Sequence, residues 1–330
     1  MKYLKSIVLA VSAYSFCLSA SAAPPSEETV QGLYEGTWID GKNPAKTEVR
    51  VIAMGKGGFK LLARKEADGK IVRAEIDGKI EGDAVNFAGR SGEQNWKANY
   101  TDGAIQGTIG DKGKLELKRV VRTSPSSGKK APSGAMILID GKNFDNMKAK
   151  SGDWGDVDQK DGSIQVPKGG MNSVPSFAGS FDAHVEFRCP FRPGARSQGR
   201  GNSGCYLPCG QEIQVLDSFG MTTYLGGGCG GLYGKKDPDT MEPIPGLQGK
   251  KENVFNLTSF PPLQWQTYDI EYRVKNDDQG KEAGSLTVYH NGIKVHDNVA
   301  LNHKAGGFRF QDHGNPVRYR NIWVLNRDSK

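Results

Sequence analysis

The sequence predicts an all-β protein of two antiparallel units, a small one followed by a larger two-sheet jelly roll. Glycine is abundant, 44 of 330 residues with 16 prolines, and shows no collagen-like period, which means many turns. Strand-period alternation recurs, as in Lys114-Leu115-Glu116-Leu117-Lys118, so that one face is buried and the other wet. Long stretches with helical period are hard to find beyond the N-terminal residues.

Residues 1–22 read as a secretory signal. Lys2 and Lys5 give a positive start, Ile7 to Leu18 is mostly apolar, and Ala20-Ser21-Ala22 is a small-x-small cleavage site. The apolar run is too short to span about 30 Å of hydrocarbon as a helix, and no other segment is long and apolar enough to cross a bilayer. The expected location is therefore periplasmic or secreted. Residues 24–28 are polar and are expected to be flexible.

The small antiparallel domain covers 28–121. Its candidate strands are 33–39, 47–54, 58–64, 71–77, 84–88, 95–100, 104–109 and 114–121. Asp68-Gly69, Asp77-Gly78, Gly82-Asp83 and Asp102-Gly103 separate them, pairs that tolerate the positive φ of two-residue hairpins. Trp38, Trp96 and Tyr100 would form either a sugar-stacking platform or part of the core. Residues 122–134, RTSPSSGKKAPSG, hold Pro, Ser, Gly and Lys with nothing to anchor a strand, and read as an exposed linker open to proteolysis.

From residue 135 to 330 the expected strands are 136–139, 163–166, 181–189, 203–208, 211–217, 265–275, 284–290, 293–296, 307–311 and 317–326, a number that suits a two-sheet jelly roll. Asn291-Gly292 is a strong hairpin signal. Segment 221–263 is rich in Gly and Pro and lacks clean strands, as functional loops often do.

The formal net charge of +7 is dispersed, with no basic stripe interleaved with aromatics, which argues against a nucleic-acid partner. The five cysteines include Cys17 in the leader; the four others, Cys189, Cys205, Cys209 and Cys229, favour two disulfides in an oxidising compartment, with free thiols or metal as the alternative. The stretch Cys229-Gly230-Gly231-Leu232-Tyr233-Gly234 lacks the Lys-Ser/Thr of a phosphate loop and the helix start of a dinucleotide site.

Two stretches carry most of the chemistry. In Gln211-Glu212-Ile213-Gln214-Val215-Leu216-Asp217, strand alternation points Glu212 and Gln214 one way and Ile213 and Val215 the other. A bulge near Leu216 would bring Asp217 into the same polar row. Jelly-roll glucanases carry two acids around a middle Asp; Gln214 in that place argues against their double-displacement mechanism. In Asp312-His313-Gly314-Asn315-Pro316-Val317-Arg318-Tyr319-Arg320, a turn presents a histidine able to take a proton near neutral pH, and arginines follow that can fork onto an oxyanion.

Taken in order, Phe187-Arg188, Asn202-Ser203-Gly204, Glu212 to Asp217, Cys229-Gly230, Trp265-Gln266-Thr267-Tyr268-Asp269 and Gln311 to Val317 resemble the 3-keto-disaccharide hydrolase domain over residues 135–330. The resemblance implies a concanavalin A-like lectin/glucanase β-sandwich acting on glycosides with a ketone at carbon 3. Such a ketone acidifies the proton at carbon 2; a base removes it, the glycosidic oxygen leaves, and water then adds. On that reading His313 or Glu212 is the base, Arg188 or Arg318 stabilises the enolate, and Asn202, Gln214 and Asp217 hold sugar hydroxyls. A divalent ion is the alternative electrophile, with Asp217, Glu212 and His313 as first candidate ligands. A non-catalytic lectin using the same face is the competing function, and an ordinary endo-glycosidase a third.

Overall fold

The structure is a computed structural model that describes residues 23–40, 43–243, 254–276 and 279–328. The expected leader lies outside the described residues. The first unit opens with a short helix, α1 (Glu27–Val30), where a flexible tail was expected; Ser26 caps it by accepting from the Thr29 amide. Its Val30 is fully buried and caps the core of a closed barrel.

Eight antiparallel strands form that barrel: β1 (Gly32–Asp40), β2 (Asn43–Gly55), β3 (Gly58–Ala67), β4 (Lys70–Glu81), β5 (Ala84–Ser91), β6 (Gln94–Thr101), β7 (Ala104–Ile109) and β8 (Gly113–Val120). β1 pairs with both β2 and β8, so no edge is left open. Asp68-Gly69 and Asp102-Gly103 do form positive-φ turns. Asp77-Gly78 does not: it runs straight through β4, and Gly78 is required because a Cβ would lie 2.3 Å from the Phe87 ring on the paired strand. Trp38, Trp96 and Tyr100 are core residues, 2–6% exposed, with the two indoles packed edge to face at 4.6 Å.

The second unit is a sandwich. Its strands are β9 (Met136–Ile139), β10 (Met147–Ala149), β11 (Val157–Asp158), β12 (Ser163–Gln165), β13 (Met171–Ser173), β14 (Phe181–Arg188), β15 (Ser203–Tyr206), β16 (Glu212–Val215), β17 (Thr222–Thr223), β18 (Met241–Pro243), β19 (Val254–Asn256), β20 (Gln266–Asn276), β21 (Glu282–His290), β22 (Ile293–Asn302), β23 (Arg309–Phe310) and β24 (Arg318–Asn326). The front sheet runs β10-β13-β23-β15-β16 and the back sheet β11-β12-β24-β14-β20-β21-β22, with β9 on β24. Between them lies one apolar core containing Val185, Phe187, Cys205, Ile213, Tyr268 and Phe310. The segment expected to lack strands supplies the small sheet β17-β19-β18.

The four cysteines are free thiols, which overturns the disulfide expectation. Cys189, Cys205 and Cys229 each fill the core as small apolar groups, while Cys209 is half-buried and packs against it. Burial pushes the Cys189, Cys205 and Cys229 thiols well above their usual range. Native protein treated with a thiol-alkylating reagent is therefore expected to lose Cys209 first. The other three should react only on unfolding, as peptide mass mapping before and after denaturant would show.

Residues 122–134 join the two units and are strapped across the outer face of the back sheet. Ser124 Oγ lies 2.6 Å from Thr267 Oγ1, Gly128 N donates to Glu186 Oε1 at 2.5 Å, and Lys129 Nζ reaches Asp269 Oδ1 at 2.9 Å. Trp323 Nε1 and Asn321 Nδ2 both donate to the Lys129 carbonyl. The segment lacks strand-forming residues, yet side-chain and backbone polar groups hold it in place.

Candidate active site

The front sheet assembles a polar row on its outer face. β15 and β16 are antiparallel, with Tyr206 opposite Glu212 and Gly204 opposite Gln214. β23 places Arg309 opposite Tyr206 on the other side. Because Cys205, Ile213 and Phe310 point into the core, period-two alternation sends Arg309, Tyr206 and Glu212 outward, side by side across three strands. The Arg309 guanidinium stacks 3.5 Å over the Tyr206 ring. Tyr206 faces Glu212 from the paired strand, and Arg309 and His313 lie within electrostatic reach of the Glu212 carboxyl.

Gly204 makes room for this arrangement. A Cβ there would come 2.0 Å from Glu212 Oε1, so the carboxyl occupies the space a side chain would take. Glu212 is 6% exposed, and burial raises its pKa above the ordinary carboxylate value despite the opposing pull of Tyr206, Arg309 and His313. Burial beside that carboxyl also lifts the Tyr206 hydroxyl to about 12.

Two hollows open on either side of Tyr206. One, about 420 Å³, is lined by Tyr206, Glu212, Tyr233, Lys235 and Asn302. The other, about 560 Å³, is lined by Asn172, Ser173, Tyr206, Pro208 and Arg309. Each is large enough for a small polar ligand. A cleft of about 410 Å³ between barrel and sandwich is bordered by Met54, Leu62 and Met221, but its Arg50 and Lys60 are already paired with Glu48 and Glu75. The acid-bearing row is therefore the better candidate for chemistry.

Of the residues expected in the site, Glu212 and His313 share this face, with His313 exposed in the turn before β24. Gln214 and Asn202 extend the row, and both donate to Gln198 Oε1, at 2.9 and 2.7 Å. Asp217 does not join it. β16 ends at Val215, and Asp217 turns into a fully buried pair with Arg200, Nε to Oδ2 3.0 Å. Asp217, Glu212 and His313 thus do not converge as metal ligands, and no group of three His, Cys, Asp or Glu able to hold a metal ion occurs among the described residues.

Arg188 and Arg318 lie on the far side of the sandwich. Phe187 and Cys189 point into the core, so Arg188 emerges on the outer face of the back sheet, over Trp265 and 3.7 Å from Asp161. Arg318 is bound there to Asp156 and Ser163. The arginine beside Glu212 is Arg309, within the expected strand 307–311, which sequence reasoning passed over because nothing local links that strand to the one carrying Glu212. Arg188→Ala and Arg318→Ala are accordingly expected to leave kcat/KM within about threefold of wild type, while Arg309→Ala lowers it by at least tenfold. Steady-state kinetics of the three variants checks the assignment.

Among proteins of known families, residues 134–325 match the family model described as a 3-keto-alpha-glucoside-1,2-lyase-like domain. No curated protein matches the chain.

Proposed function

We propose, from the premise that the chain belongs to the 3-keto-alpha-glucoside-1,2-lyase-like family through residues 134–325, that the front-sheet row cleaves 3-keto-glycosides by elimination. A carbohydrate-active function follows from the family itself. The observation that carries the finer reading is Glu212: a carboxyl of raised pKa beside a guanidinium and a phenol, at the wall of a sugar-sized hollow.

In this mechanism Glu212 takes the proton from carbon 2 of the keto sugar. The electrons of that C–H bond move toward the ketone, and the negative charge gathering on the carbonyl oxygen is met by Arg309 and the Tyr206 hydroxyl. Collapse of the enolate forms a double bond between carbons 1 and 2 and breaks the bond from carbon 1 to the glycosidic oxygen. That oxygen leaves with a proton from protonated Glu212 or from His313. Addition of water across the double bond gives the free 3-keto sugar, so the sum is hydrolysis. Asn202 and Gln214 continue the row toward the sugar hydroxyls. The leader-like residues 1–22 support the proposal that this chemistry takes place in the periplasm or outside the cell.

Incubation with a disaccharide oxidised at carbon 3 tests the reading. Release of the second sugar, with solvent deuterium exchanged into carbon 2, is the expected result. Saturable binding without release would establish a lectin instead, and release from the unoxidised disaccharide would establish an ordinary glycosidase.

A further inference from the structure

The barrel contacts the sandwich where the polar row ends. The loop 190–202 carries Gln198 and Asn202 and contains only one turn of 3-10 helix, Ser197–Gly199. Left to itself, such a stretch is mobile. Here the C-terminal end of β2 holds it. Arg196 Nη2 donates to the Met54 carbonyl at 2.7 Å, and Arg200 Nη1 reaches the Ala53 carbonyl at 3.4 Å. The backbones meet at two glycines, since a Cβ on Gly55 would come 2.9 Å from Gly194 Cα. Phe191 from the same loop packs against the barrel core.

A second loop is held in the same way. Phe219 is buried against Leu33 and Ile52 of the barrel, with the Arg50 guanidinium 5.1 Å from its ring centre. Arg50, itself 2% exposed, donates to the carbonyls of Asn256 and Leu257. Asn256 Nδ2 in turn donates to the Cys229 carbonyl at 2.6 Å. The two held loops then meet at Gln198: its Oε1 accepts from Asn202 and Gln214, and its Nε2 donates to the Gly227 carbonyl at 3.2 Å. Because the oxygen of this amide accepts twice and its nitrogen donates to Gly227, its orientation is fixed, and it orients the Asn202 and Gln214 amide nitrogens that donate to it.

We infer that the barrel is a buttress for the sugar site: β2 and Arg50 fix the 190–202 and 219–232 loops, and through Gln198 they set the positions of the Asn202 and Gln214 amides. The barrel's own aromatic residues Trp38, Trp96 and Tyr100 are sealed in its interior, which leaves them no role as a stacking surface. The activity arm of the test rests on the function proposed above; the structural arm does not.

The test uses the full chain with Arg196→Ala, an exposed side chain whose loss leaves both cores intact, and with Arg50→Ala/Arg196→Ala. Amide hydrogen exchange in residues 196–202 and 224–231 should rise in both variants, while β14 and β20 stay protected. With the oxidised disaccharide as probe, KM should rise about tenfold with kcat changed less than threefold, because the amides bind rather than react. Arg196→Lys, which restores a donor to the Met54 carbonyl, should recover most of the KM. Unchanged exchange in the two loops overturns the inference, whatever the kinetics. Increased exchange in a protein whose wild type neither binds nor cleaves the probe leaves the buttress standing and removes the proposed substrate.

Discussion

Glu212→Gln is expected to lower turnover of a 3-keto-disaccharide by about 10²–10⁴ while leaving its binding within a few-fold of wild type. The replacement keeps the shape that fits against Gly204 and can still face Tyr206 and Arg309, so the sheet has no cause to rearrange. What it removes is the ability to take a proton. Isotope exchange at carbon 2 should therefore fall with the overall rate, since both need the same base. The pH profile carries an independent check. A base must be deprotonated, and burial raises the Glu212 pKa above its ordinary 4.5, so the acid limb of kcat/KM should lie above that value. Removing Arg309 withdraws a cation that holds the pKa down, and should move the limb further up. An unchanged rate in Glu212→Gln with binding intact would transfer the base role to His313 and leave Glu212 as a ligand for hydroxyls.

How much of this site was legible depended on how local each signal was. Glu212-Ile213-Gln214-Val215 declares its two faces by alternation alone, and Asn291-Gly292 declares its hairpin, with both residues at positive φ. The barrel strands follow the alternation and turn signals closely, because each pairs with its neighbour in sequence. Arg188 and Arg318 stand on the opposite sheet from Glu212, because alternation says which residues share a face, not which of two sheets a strand joins. That choice is made by long-range pairing: β14 lies between β20 and β24, far from β15 and β16. Asp217 required a bulge, and the chain instead ended the strand and paired the acid with Arg200, whose partner role no spacing reveals. The cysteine count favoured disulfides, but three of the thiols behave as small core side chains. Asp77-Gly78 has the composition of a turn, and its glycine serves to pass beneath Phe87.

His184→Ala is expected to destabilise the folded chain by about 3–5 kcal/mol, the cost of stripping the partner from buried charges. His184 is fully buried on the strap side of the back sheet, stacked on Trp323, with Nδ1 3.0 Å from Asp269 Oδ1 and Nε2 3.3 Å from Glu186 Oε1. A carboxylate at each ring nitrogen demands two N–H donors, so the imidazole is held as a cation and its pKa is raised: the hydrogen bonds and charges of Asp269 and Glu186 outweigh the opposing effect of burial. The two acids are pulled down to about 2 in return, by hydrogen bonds from His184, and further by Asn321, Arg320 and Gly128 at Glu186 and by Ser126 and Lys129 at Asp269. The stability contributed by the histidine is complete below its ordinary 6.5 and is lost as the pH rises through the raised value in the folded state. That contributed by the acids is present above their ordinary 4.5 and 3.8 and is lost as the pH falls toward 2. The contribution of these three groups should therefore be greatest between about pH 4.5 and 6.5, and wild-type stability in urea should fall as the pH rises above 6.5. In His184→Ala the alkaline fall should disappear, because the group that titrates there is gone. The same change should loosen the 122–134 strap, whose Gly128 and Lys129 bond the two acids, and make trypsin cut after Lys129 or Lys130 faster than in wild type. A variant that keeps the alkaline fall and resists trypsin as wild type does would mean that neither the charge on His184 nor its hold on the strap matters to the fold.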